Sequence, residues 1–179
     1  VVKLMVVEVE KLISMDEFKG MDREGLASKL KAVEALIRSY TNNNFQNRNM
    51  RVKAPSVGGA ILTHCPYFKA GDTVQVSQSG LNDGVYEVVE ATGSRLKLDR
   101  ELYDSPSNTV TKVIYPEDIR KGVVDLMAWE KANRKKVGIK SEELSRHSVT
   151  YFDQDTNNQV MGYPVALLGF LKPYVKPRF

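Results

Sequence analysis

The strongest constraint on this chain is a double switch in hydrophobic period. Over residues 22–40, Leu26, Leu30, Val33, Ile37 and Tyr40 fall in steps of four, three, four and three, one stripe of a 3.6-residue helix. From Met50 to Tyr115 the period drops to two. Thr73–Ser77, Val85–Glu90, Arg95–Asp99 and Val110–Tyr115 alternate like half-buried strands. Turn signals separate them at Asn82-Asp83-Gly84, Thr92-Gly93-Ser94 and Asp104–Asn108. Helical spacing returns after Pro116 with Ile119, Val123, Leu126 and Met127, and Trp129 beside them. A chain of 179 residues has room for one domain, or one plus a small insert.

The pattern predicts an α+β fold. A helical core, residues 1–49 plus 116–179, carries an inserted small antiparallel β barrel or sandwich module, residues 50–115, and ends in a short hairpin and helix. Gly71-Asp72 resembles the entry of many small SH3-like barrels. Asp22 and Glu24 suit the start of the first long helix, and Thr41–Asn44 its end. A shorter helical piece is expected near Val9–Phe18, stopped by Gly20. Pro116 can open the second long helix, which is expected to reach about Arg134 and end near Gly138.

Beyond it, Ser141–Leu144 reads as one turn of helix and Val149–Phe152 as a strand. Val160-Met161 is that strand's expected partner, across a turn at 153–158. Pro164 then opens a helix through Leu167, Leu168 and Leu171, stopped by Pro173. Nothing charged occurs from Gln159 through Leu171, so this helix must be buried, either in the chain's own core or at a subunit interface.

Charge and chemistry exclude several classes. One cysteine, Cys65, allows no internal disulfide and no cysteine-rich zinc cage. Residues 1–65 carry ten basic and seven acidic side chains, 66–116 five and seven, and 117–179 eleven and eight, so the middle is −2 between flanks of +3. The chain has no phosphate-binding glycine loop, dinucleotide fingerprint, zinc-protease motif or nucleophile elbow. Gly58-Gly59 reads as a turn. His64 and Cys65 are adjacent and would face opposite ways in a strand. Asp153 and Asp155 lack the glycine and terminal Glu of a calcium loop. No catalytic residue, metal ligand or cofactor is therefore expected, and the chain reads as a non-enzyme. No signal peptide or membrane-spanning segment is expected either. The basic run Lys131, Arg134, Lys135, Lys136 and Lys140 is either a solvated helix end or a surface for nucleic acid.

Three stretches carry a family resemblance. They are Ala35–Asn42 at the end of the first long helix; Val137–Glu142 followed by Ser148–Tyr151; and Gly162-Tyr163-Pro164 through Leu168, then Leu171–Tyr174. Together with the helix at 117–134 they cover about half the chain and resemble the head–tail connector (head-completion or adaptor) proteins of long-tailed phages. The resemblance implies a helical adaptor that stacks as a ring of identical subunits, typically twelvefold, beneath a portal protein. Such a ring extends the DNA channel and receives the next head-completion or tail-side protein. The protein would be made in the host cytoplasm and end in the virion neck. Compact adaptors have only a short connection where this chain has its β module.

By the same resemblance, residues 164–179 are assigned to portal docking, with Leu167, Leu168, Leu171, Lys172, Tyr174, Lys176, Arg178 and Phe179 as contact residues. Lys131, Arg134, Lys135 and Lys136 would touch packaged DNA as diffuse phosphate contacts, without base reading. The alternative from the residues themselves is a small-barrel nucleic-acid-binding protein.

Overall fold

The structure is a computed structural model that describes residues 6–133, 141–144, 147–150 and 159–178. The chain divides into two compact units, one of Val1–Glu8 with Asn42–Tyr115 and one of Val9–Thr41 with Pro116–Phe179.

The first unit is built on a closed barrel of six strands: β1 (Gln46–Val57), β2 (Ala60–Leu62), β3 (Thr73–Ser77), β4 (Gly84–Ala91), β5 (Arg95–Leu98) and β6 (Ser105–Val113). Their order around the barrel is β1-β2-β5-β4-β3-β6, and every pairing is antiparallel. Alternation places Ala54, Val74, Val76, Val88, Leu96 and Val110 in a common core with Ile61, Phe68, Tyr86, Leu98 and Leu102. Closure leaves no strand edge exposed for pairing with another chain.

This architecture corrects the predicted fold class. The protein is a closed six-stranded antiparallel barrel with a few helices, not a helical adaptor core carrying a barrel or sandwich insert. The barrel encloses its own apolar core, and strand structure begins at Gln46, within the stretch assigned to the helical core. Two strands were hidden from the pattern. β1 exposes Arg48, Asn49, Arg51, Lys53, Pro55 and Val57, and β2 is only three residues long. Gly58 and Gly59, at φ +58° and +78°, form the two-residue turn between them, with Val57 paired to Ala60. The turn expected over 104–108 is mostly strand. Pro55 and Pro106 both fall where the β1–β6 register shifts between Ala54 and Ser56, so neither missing N–H interrupts a regular ladder.

One end of the barrel is fixed by a buried polar network. The Asn82 side chain donates to the Tyr103 carbonyl at 2.9 Å and to Asn108 Oδ1 at 3.1 Å, while the Tyr103 N–H donates back to Asn82 Oδ1 at 2.9 Å. Asn108 donates to the Ala54 carbonyl and to Ser56 Oγ, each at 3.1 Å. The Tyr86 hydroxyl donates to the Asn82 carbonyl at 2.9 Å. These bonds tie the β3–β4 loop and the β5–β6 connection to β1.

The second unit contains α1 (Val9–Ile13), α2 (Arg23–Thr41), α3 (Glu117–Asn133) and a 3-10 helix over Val165–Tyr174. α2 starts as expected, with Asp22 Oδ2 accepting from the Gly25 N–H at 2.9 Å. It is followed by Asn42 in the left-handed region, at φ +48°. Leu26, Leu30, Val33 and Ile37 are buried, whereas Tyr40 is half-exposed and Thr41 takes the last buried position. Glu34, also on α2, is 2% exposed and pairs with Arg38 at 2.8 Å. α3 buries Ile119, Val123, Leu126 and Met127. α2 and α3 touch each other and the 3-10 helix.

The C-terminal hairpins differ from expectation. Ser141–Leu144 is a strand, β7, not a helical turn, and pairs with β8 (His147–Thr150). β9 (Gln159–Val160) pairs with β10 (Tyr163–Pro164), so Val160 finds its partner across Met161-Gly162. The expected turn at 153–158, including Asp153 and Asp155, lies outside the described residues.

Asn82→Ala removes the centre of the polar network and strands buried groups on Asn108 and Tyr103. It is expected to destabilise the protein by about 2–4 kcal/mol, since several buried bonds are lost together. A urea melt checks this, with the midpoint falling at unchanged slope.

Candidate docking surface

The C-terminal segment is organised by its helix type. In a 3-10 helix, residues three apart eclipse. Val165, Leu168, Leu171 and Tyr174 therefore form one row. Leu168 and Leu171 are buried, Tyr174 is half-buried and Val165 is exposed. The sequence predicts a helix through Leu167, Leu168 and Leu171 that is buried all round, but Leu167 lies off the row and is half-buried. Pro173 sits inside the element and Gly169 lies four residues before it. Proline has no N–H and its ring clashes with the carbonyl four residues back, which opposes an α-helix here.

Phe170 explains a mid-helix glycine. A Cβ on Gly122 of α3 would lie 2.4 Å from the Phe170 ring, so only glycine admits it. Tyr163, 3% exposed, donates its hydroxyl to Glu130 Oε2 at 2.7 Å, and its ring lies 5.7 Å from that of Trp129. Lys29 Nζ is 3.9 Å from the other oxygen of Glu130.

The tail is anchored at its root. The Tyr174 hydroxyl donates to the Asp118 carboxylate, at 2.7 and 2.9 Å from its two oxygens. That bond, foremost, raises the Tyr174 pKa above its ordinary value; desolvation and the Asp118 charge act the same way. The Lys176 N–H donates to the Thr41 carbonyl and the Arg178 guanidinium to the Ser39 carbonyl, each at 2.8 Å. Both acceptors lie in the last turn of α2, whose carbonyls have no partner within the helix. A cation there also complements the helix dipole.

The structure thus sorts the predicted docking residues. Leu168 and Leu171 pack inside the second unit, and Tyr174 is held by Asp118. Lys172, Lys176 and Arg178 remain exposed, and Phe179 lies outside the described residues. Of the predicted DNA contacts, Lys131 donates to the Glu17 carbonyl at 2.6 Å and the Lys19 carbonyl at 3.3 Å, tying down the segment before α2. Arg134, Lys135 and Lys136 lie outside the described residues. Lys131 and the Tyr174 anchor are not brought together: Asp118 and Lys131 are thirteen residues apart along α3, about 20 Å at 1.5 Å per residue.

A second surface escaped the sequence reading. At the end of the barrel fixed by Asn82, Val57, Leu81 and Tyr103 are 50%, 71% and 67% exposed. The Gly58 N–H donates to Asp104 Oδ1 at 2.8 Å beside them. Asp83 accepts from the Ser79 N–H and hydroxyl, which lower its pKa. The only available signal was an apolar Leu81 inside a Gly80–Gly84 turn, which period analysis does not score. Among the described residues, no group of three His, Cys, Asp or Glu side chains could hold a metal ion. Among them, also, no helix is long and apolar enough to cross a membrane.

No protein-family model and no curated protein matches this sequence.

Two outcomes are expected from these contacts. Gly122→Ala forces the Phe170 ring aside and should cost about 1–3 kcal/mol, the range for overpacking, read as a lowered thermal midpoint. Asp118→Ala should lower the Tyr174 pKa toward that of an ordinary phenol. The neutral hydroxyl makes the bond, so its stabilisation is present below the unfolded-state pKa and is lost as pH rises through the higher folded value. A spectrophotometric tyrosine titration should show a late-ionising phenol in the parent that moves to lower pH in Asp118→Ala.

Proposed function

We propose that this protein is a structural subunit of a phage head–tail connector. It would form a ring beneath the portal, extend the DNA channel and join capsid to tail. The observation that carries this reading is the ordered resemblance of 35–42, 137–142 with 148–151, and 162–168 with 171–174 to that family. The geometry of the last segment supports it. Leu168 and Leu171 of its apolar row are buried at home, while Lys172, Val175, Lys176 and Arg178 stay exposed on a segment rooted at Asp118 and the end of α2. A surface anchored at its root loses less conformational entropy when a portal binds it. The exposed Val57, Leu81 and Tyr103 offer a second contact for a neighbouring subunit or the tail-side protein. Ring formation requires a heterologous contact that closes by rotation.

Electron microscopy of the protein mixed with the portal encoded beside it tests the proposal. A closed ring stacked coaxially on the portal is the expected result. Deleting residues 172–179 is expected to weaken attachment. Lys172→Gln with Lys176→Gln should weaken it too, while preserving the backbone bond from residue 176 to Thr41. Protein that stays off the portal yet binds DNA would favour the nucleic-acid-binding alternative.

A further inference from the structure

We propose that the exposed side of β1 binds the phosphate backbone of duplex DNA, through Arg48, Arg51 and Lys53. Between Glu34 and Asp72 the chain has no acidic residue, yet it carries Arg38, Arg48, Arg51, Lys53 and Lys69. Arg48, Arg51 and Lys53 all lie on one strand and are exposed. Among the described residues none of the three makes an ion pair, whereas Lys29, Arg38, Lys112 and Lys121 each face a carboxylate. Among the described residues, then, no carboxylate compensates their charge.

The barrel register keeps carboxylates away from them. Arg51 pairs with Thr111, which pairs with Gln75; Lys53 pairs with Thr109, which pairs with Ser77. Both cross-strand rows are neutral and polar. Arg51 and Lys53, two residues apart, project to the same side about 6.6 Å from one another along the strand. Arg51 donates Nε–H to Thr111 Oγ1 at 2.8 Å, which steadies the guanidinium without neutralising it. Arg48 lies in the register shift between Gln46 and Arg51, where β1 bulges away from β6. Cations on a rigid strand with no carboxylate among their ladder partners suit a polyanion held by charge, independent of base sequence.

This inference rests on the connector reading only for the source of the DNA, the packaged genome in the channel. The binding belongs to the chain alone and is measured without a portal. Fluorescence anisotropy with two short duplexes of unrelated sequence, over a salt series, is the experiment. The parent protein is expected to bind both equally, with log K falling against log salt at a slope of at least about −2.7, three phosphate contacts at 0.9 each. Arg48→Gln with Lys53→Gln keeps the Arg51–Thr111 bond and should make the slope shallower by about 1.8. Adding Arg51→Gln should remove about 0.9 more. The Lys172→Gln, Lys176→Gln variant should keep the parent slope while losing portal attachment, so the two readings fail separately. A parent that does not bind DNA at low salt, or an unchanged slope in Arg48→Gln with Lys53→Gln, overturns the assignment and points to an acidic protein as the partner of β1.

Discussion

The pairing of β1 with β6 is the constraint on which the rest of the first unit depends. Lys53 meets Thr109 and Arg51 meets Thr111 across more than fifty residues of chain. That contact closes the barrel and removes its edges, and it must overcome the entropy of closing a long loop before its hydrogen bonds contribute. Its far end brings the entry and exit of the barrel together: Ile114 N–H donates to the Phe45 carbonyl at 2.9 Å, and the Phe45 and Tyr115 rings lie 4.9 Å apart. Its near end is held by Asn108 and Ser56, whose bonds with Asn82 fix the loops carrying Leu81 and Tyr103. One ladder thus gives the barrel its closure, its rigid end and its cationic strand.

The second unit follows a different logic. Its C-terminal segment packs on the two long helices through Leu168, Leu171 and Phe170, and its tail supplies the end of α2 with two hydrogen-bond donors. Of the apolar residues that read as a possible subunit interface, Tyr163, Leu168 and Leu171 are buried at home. The surface left over is cationic and extended, and such a surface recognises partners by charge and by backbone shape.

Legibility in the sequence tracked the locality of the cause. The stripes of α2 and α3, the Asp22 cap and the left-handed Asn42 all arise within one or two turns of chain, and each was readable. β3, β4 and β5 alternate and were found. β1 was not, because its exposed cations and asparagines mask the apolar positions Val52 and Ala54 that face the core. The sequence stops the last helix at Pro173, whereas the tighter 3-10 helix runs through it to Tyr174.

By itself the sequence determined the local periods, the turns at glycine and asparagine, and the charge distribution, because those depend on residues close in the chain. Only the tertiary structure decided that the strands close into a barrel, that Leu168 and Leu171 are covered, and that the ladder partners of Arg51 and Lys53 are neutral. Those outcomes depend on which side chains distant segments place opposite one another. Register and burial are properties of pairs, and neither partner carries them alone.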